Sequence, residues 1–197
     1  MDHDEARLDQ AENAALARQI AQQLTRPIVL VGMMGVGKSS VGRRLSHALG
    51  LPFVDADDAI EEAAQMAIPE IFETYGEAYF RDGERRVIQR LMAEGAGGRP
   101  MVIATGGGAF VNPETRALIL DKGIAVWLDS DVDTLVERVG RKDNRPLLRG
   151  GNPREILARL KAEREPAYAQ APVHVMSGNQ PHGRTLAMVM KGISQWL

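Results

Sequence analysis

Short apolar runs separated by longer amphipathic stretches set the rhythm of this chain. The runs at residues 28–31, 53–54, 101–104, 125–128 and 173–176 are too short for lone helices, and most are followed by sequence of helical periodicity. That alternation is the signature of βα units around a mainly parallel sheet, so the predicted class is α/β with five strands. Ahead of the first run, residues 1–25 place Leu16, Ile20 and Leu24 at every fourth position, and Leu8, Ala11 and Ala15 prolong the stripe. This predicts an amphipathic helical extension ending near Pro27, lying on the domain or fraying in solution.

Two stretches depart from a minimal βα repeat. Residues 69–92 are strongly helical, with Pro69 suited to a first helical turn and Gly76 to a break between two segments; they belong to a helical insertion over about residues 56–94. Residues 140–153, GRKDNRPLLRGGNP, gather basic residues with Gly and Pro and have no apolar period, which predicts a mobile loop.

Composition narrows the class of protein. A chain of 197 residues, 44% hydrophobic and 25% charged, suits one packed domain, taken as residues 26–197. A net charge of −2 gives no general reason to bind nucleic acid or an anionic membrane surface. Without cysteine there are no disulfides, thiolate metal sites or thiol nucleophiles, which fits a reducing, cytoplasmic compartment. The acidic N-terminus lacks the marks of a secretory signal or transit peptide, and no apolar run approaches the ~20 residues that span a bilayer. His3, His47, His174 and His182 show no metal-ligand spacing, so no structural zinc site is expected.

The chemistry starts at Gly32-Met33-Met34-Gly35-Val36-Gly37-Lys38-Ser39, which fits the phosphate-binding pattern of Gly, four residues, then Gly-Lys-Ser/Thr. A strand-like run precedes it and a helix-like run over residues 40–49, closed by Gly50, follows, as the mechanism requires. Backbone N–H groups and the helix dipole of such a loop converge on phosphate oxygens, and the lysine ammonium adds a point charge. Gly35, Val36, Gly37, Lys38, Ser39 and Ser40 are therefore the expected contacts to the phosphates of ATP, with Ser39 also a ligand for Mg²⁺. A Gly-rich turn that binds nothing does not account for the full motif in this setting.

Asp55 and Asp57 follow the second apolar run, at the carboxyl end of a strand, where open parallel sheets bind ligands. The same acids also suit the first turn of a helix. Phosphoryl transfer needs a carboxylate near the metal and a group to orient the attacking hydroxyl. Asp55 is assigned to the metal, through water, and Asp57 to the acceptor hydroxyl.

Further along stand Phe80-Arg81 with Glu84, the triplet Gly106-Gly107-Gly108, Arg145-Pro146-Leu147-Leu148, and Arg164 before Pro166-Ala167-Tyr168. In this order and spacing, from about Pro27 to the C-terminus, the set resembles the shikimate kinase family. The resemblance implies a three-layer α/β/α sandwich of the P-loop NTPase type, with a helical substrate-binding insertion and a mobile lid over about residues 140–153. It implies that Arg81, Arg164 and the triplet hold the carboxylate-bearing substrate shikimate and that Arg145 reaches the transferring phosphate. Arg138, the stretch Asn179-Gln180-Pro181 and, more distantly, Arg184 would lie beside adenine, and the protein would act as a monomer on small molecules. Guanidinium forks match carboxylates bidentately and stay charged, and Glu84 is placed one turn from Arg81 to set its rotamer.

Two rivals carry different expectations. A kinase of similar build for gluconate or a nucleoside monophosphate would have no need of paired arginines facing a glycine triplet. A nucleotide-binding regulator without catalysis would have no need of Asp57. Nucleic-acid binding through the basic loop is a poor fit, because that loop has no interleaved aromatics.

Overall fold

The computed structural model describes residues 3–97, 99–140, 151–178 and 182–197, without the side chains of residues 3–10, 96–97 and 182. Arg145, most of the expected lid, and Asn179, Gln180 and Pro181 lie outside the described residues. The elements run α1 (His3–Gln23), β1 (Ile28–Val31), α2 (Lys38–Leu49), β2 (Phe53–Asp55), α3 (Ala56–Ala64), α4 (Ile68–Gly97), β3 (Val102–Ala104), α5 (Pro113–Lys122), β4 (Ile124–Asp129), α6 (Val132–Gly140), α7 (Pro153–Tyr168), β5 (Val173–Met176) and α8 (His182–Trp196).

The five strands form one parallel sheet in the order β2-β3-β1-β4-β5. Central β1, IVLV, is buried at every position, and so is β4, as expected of parallel strands covered on both faces. Ile28 pairs with Val102 on one side and Ile124 on the other, so the chain winds outward from β1 in both directions. The carboxyl end of β1 is thus the topological switch point, where such sheets bind ligands.

Helix boundaries have local causes. Gly50 closes α2 in the left-handed conformation (φ 62°), Asn112 and Asn152 cap α5 and α7 with side-chain oxygens, and each of those helices has Pro in its first turn. At Gly76 the backbone leaves the helical region (φ 80°, ψ 175°), so α4 is two segments joined by a kink, as the sequence predicts. β4 runs longer than the apolar run at 125–128, because pairing with β1 already starts at Ile124 and pairing with β5 continues to the polar Asp129.

The N-terminal extension is docked. Ala17, Ile20 and Leu24 of this segment belong to the same hydrophobic core as the sheet, and α1 packs against α8 and α2. The stripe differs from the predicted one: Ala17 is buried while Ala11 and Ala15 are exposed. A strict four-residue repeat drifts off a 3.6-residue helix, and the buried face follows the helix. Among the described residues no helix is long and apolar enough to cross a membrane.

Ile20 is fully buried in this contact. Ile20→Ala is expected to cost about 2–5 kcal/mol of unfolding free energy, read by urea denaturation, as for other large-to-small core changes.

Candidate active site

The loop from Gly32 to Gly37 turns the chain from β1 into α2, and Gly37 (φ 101°) occupies the N-cap. Lys38 opens the helix with its stem buried, and its Nζ donates to the carbonyls of Gly32 (2.8 Å) and Met33 (2.9 Å). The ammonium is thereby folded back over the loop. Ser39 Oγ donates to Asp55 Oδ2 at 2.6 Å, joining the loop to the end of β2. Ser40 is exposed at the start of α2. Arg138 of α6 donates from Nη1 to the Val36 carbonyl (3.1 Å) and from Nη2 to Gly178 (2.9 Å), bridging this loop and the segment after β5.

Asp55 serves two neighbours: Oδ2 meets Ser39, and Oδ1 accepts from the Asp57 amide as the N-cap of α3. Asp57, in the first turn, is half-buried. Burial, and after it the Asp55 charge, push its carboxyl above the usual aspartate range, against the pull of Lys38.

The glycine triplet is the place where charged side chains converge. A Cβ on Gly106 would stand 2.8 Å from Asp57 Oδ1 and 2.9 Å from Glu84 Oε1, and one on Gly108 would stand 2.6 Å from Arg81 Nη1. Any side chain here would fill the space those groups share. Arg81 Nη1 donates to Glu84 Oε2 at 2.7 Å, the rotamer lock expected from their i,i+3 spacing, and Glu77 adds a longer contact at 3.3 Å. Burial raises the Glu84 carboxyl pKa while Arg81 opposes it; for Arg81, burial works against the charge and Glu84 more than compensates, so its pKa rises. From α7, Arg164 Nη1 donates to the Gly107 carbonyl at 3.1 Å.

The structure therefore brings together Lys38, Ser39, Asp55, Asp57, Arg81, Arg164 and Gly106 to Gly108, residues spread over 127 positions, at the carboxyl edge of β1, β2 and β3. Sequence reasoning gave no role to three groups beside them. Tyr168 donates its hydroxyl to the same Gly107 carbonyl, and Lys161 pairs with Asp129 at 2.5 Å. Tyr168 had a signal in its place within the Arg164 motif; Asp129 and Lys161 had none, being 32 residues apart. The side-chain oxygens of Ser39 and Asp55, beside a lysine at a helix N-terminus, are a donor set that fits a hard cation carrying a polyphosphate.

One stability prediction follows from the pKa of Asp57. Because it is raised on folding, the folded state holds the proton more tightly than the unfolded chain; ionisation costs stability as pH rises from the ordinary value of 3.8 through the folded pKa. Asp57→Asn is expected to raise the melting temperature at pH 8, with the gain vanishing below pH 3.8, measured by calorimetry across pH.

Comparison with known proteins gives the same family from independent directions. A curated shikimate kinase of Novosphingobium aromaticivorans is 66% identical over 197 residues, covering 100% of both chains. One from Caulobacter vibrioides is 56% identical over 176 residues, 89% of this chain and 86% of that protein. The solved shikimate kinase from Acinetobacter baumannii in complex with shikimate superposes with a TM-score of 0.77 at 38% identity, over 85% of this chain and 92% of that one. With the shikimate kinase family model matching residues 34–195, this chain belongs to the shikimate kinase family.

Proposed function

We propose that this chain is an ATP-dependent kinase that phosphorylates a ring hydroxyl of shikimate, giving shikimate 3-phosphate. The observation that carries the reading is the meeting of Asp57, Arg81 and Arg164 on the bare backbone of Gly106 to Gly108, beside the phosphate-binding loop. Two guanidiniums facing one pocket select a carboxylate-bearing acceptor over a neutral sugar. Asp57, at the opening of the same pocket, accepts and orients the attacking hydroxyl. Lys38 and the amides of residues 35–39 hold the β- and γ-phosphates in line with it. Ser39 Oγ and, through water, Asp55 would hold magnesium, which would supply charge neutralisation at the phosphate oxygens. Arg138 lies beside the adenine, and Arg145 is assigned to the transferring phosphate on family resemblance. No covalent enzyme intermediate enters this scheme, because in-line transfer to a positioned hydroxyl leaves the protein only placement and electrostatics. The proposal extends to a cytoplasmic, monomeric enzyme whose partners are small molecules.

A coupled ADP-release assay with shikimate, gluconate, a nucleoside monophosphate or no acceptor tests the reading. Shikimate-dependent turnover is expected, with kcat reduced about 10²–10⁴-fold in Asp57→Asn. Turnover with another acceptor alone would discard the substrate, and nucleotide binding without any turnover would leave a non-catalytic regulator. Arg81→Lys is expected to raise KM for shikimate about tenfold and leave KM for ATP unchanged, since an ammonium loses the bidentate fork.

A further inference from the structure

One face of α7 carries four residues in sequence: Leu157, Lys161, Arg164 and Tyr168 recur at helical spacing. Leu157 and Tyr168 are buried, and Lys161 and Arg164 are half-buried, while Ala162, Glu163, Glu165 and Pro166 are exposed. Opposite them on β4, Trp127 and Asp129 are two residues apart and so share one face of the sheet.

The two faces touch at two points on either side of Arg164. At one, Lys161 Nζ donates to Asp129 Oδ1 (2.5 Å) and to the Ser130 carbonyl (2.9 Å). At the other, the Tyr168 ring stacks on Trp127 with centroids 6.0 Å apart, and its hydroxyl donates to the Gly107 carbonyl. Arg164 Nη1 reaches that same carbonyl at 3.1 Å. The strand side is braced as well: His174 of β5 stacks on Trp127 at 3.9 Å, with its Nε2 3.5 Å from Asp129 Oδ2.

Resting on the functional reading above, we propose that Lys161 and Tyr168 are positioning residues that set where the Arg164 guanidinium meets the acceptor carboxylate. Seven residues of helix separate the two points, about 10 Å along the axis. A helix held at both neither slides nor turns about its axis, and the arginine between them inherits that placement. The type of contact supports this role. An ion pair with both partners largely withdrawn from water is a poor source of net stability next to apolar packing, yet it is directional and specifies register. The tyrosine hydroxyl in turn fixes the backbone oxygen on which Arg164 rests.

Lys161→Met retains the aliphatic stem and removes the ammonium; Tyr168→Phe retains the ring and removes the hydroxyl. Each is expected to raise KM and calorimetric Kd for shikimate about tenfold, the size of one charge-assisted contact imperfectly made. In both, kcat and KM for ATP should stay within about twofold of wild type, and in an Arg164→Ala background Lys161→Met should add less than about twofold. Circular dichroism and a thermal melt establish that each variant is folded; should Lys161→Met fail to fold, Tyr168→Phe decides alone. A shikimate KM within about twofold of wild type in a folded variant overturns the inference, as does a Lys161→Met penalty that persists in full without Arg164. A wild-type protein without shikimate-dependent ADP release overturns the functional reading and this inference together, whereas the variant results, read on an active wild type, overturn this inference alone.

Discussion

The central strands of a parallel sheet, buried on both faces, admit ionisable groups only at their ends, and the rest of this molecule follows from that constraint. β1 is apolar through its length and β4 up to its last residue, and both are nearly free of solvent contact. Charge appears where the strands stop, with Lys38 beyond β1, Asp55 closing β2 and Asp129 closing β4, while the uncharged glycine triplet follows β3. All of it emerges on the same edge because the strands run the same way, and the switch point beside β1 opens a crevice among those ends.

Crowding charge into such a crevice carries a cost that the site offsets only in part. Asp57 and Glu84 are both held above the usual carboxylate range, chiefly by burial, with both carboxylates within reach of the bare Gly106 backbone. Arg81 relieves Glu84, and Lys38 partly relieves Asp57. The balance that remains is the condition of a pocket prepared for a ligand carrying its own charges. Glycine leaves room for the side chains of Asp57 and Glu84 at position 106 and of Arg81 at position 108, and at position 107 for the Met34 backbone, 3.2 Å from where a Cβ would stand.

Much of this was legible in the amino-acid order because the signals were local. The phosphate-binding motif is contiguous, and its strand-before and helix-after setting lies within twenty residues on either side. Gly76 marked the kink of α4 because the backbone there leaves the helical region, and the Arg81–Glu84 lock lies on one helix turn, where spacing alone implies contact. The extension was read as a helix for the same reason, although its buried face was misplaced by part of a turn. Periodicity shows that a stripe exists, whereas α8 and α2 determine which side they cover.

By itself the sequence determined the class of fold and the phosphate-binding loop, because these depend on periodicity and short spacings that hold in any context; Arg81, Gly106 to Gly108 and Arg164 were singled out by the resemblance of the ordered motifs to the shikimate kinase family. Tertiary structure alone decided that Asp57, Arg81 and Arg164 face one glycine wall, that Asp55 both caps α3 and meets Ser39, and that Asp129 and Trp127 grip α7 on either side of Arg164. Those groups become neighbours only when helical crossovers lay parallel strands side by side. Crossover connections carry no sequence code for which distant side chains will meet, only the apolar patterns that make the layers pack.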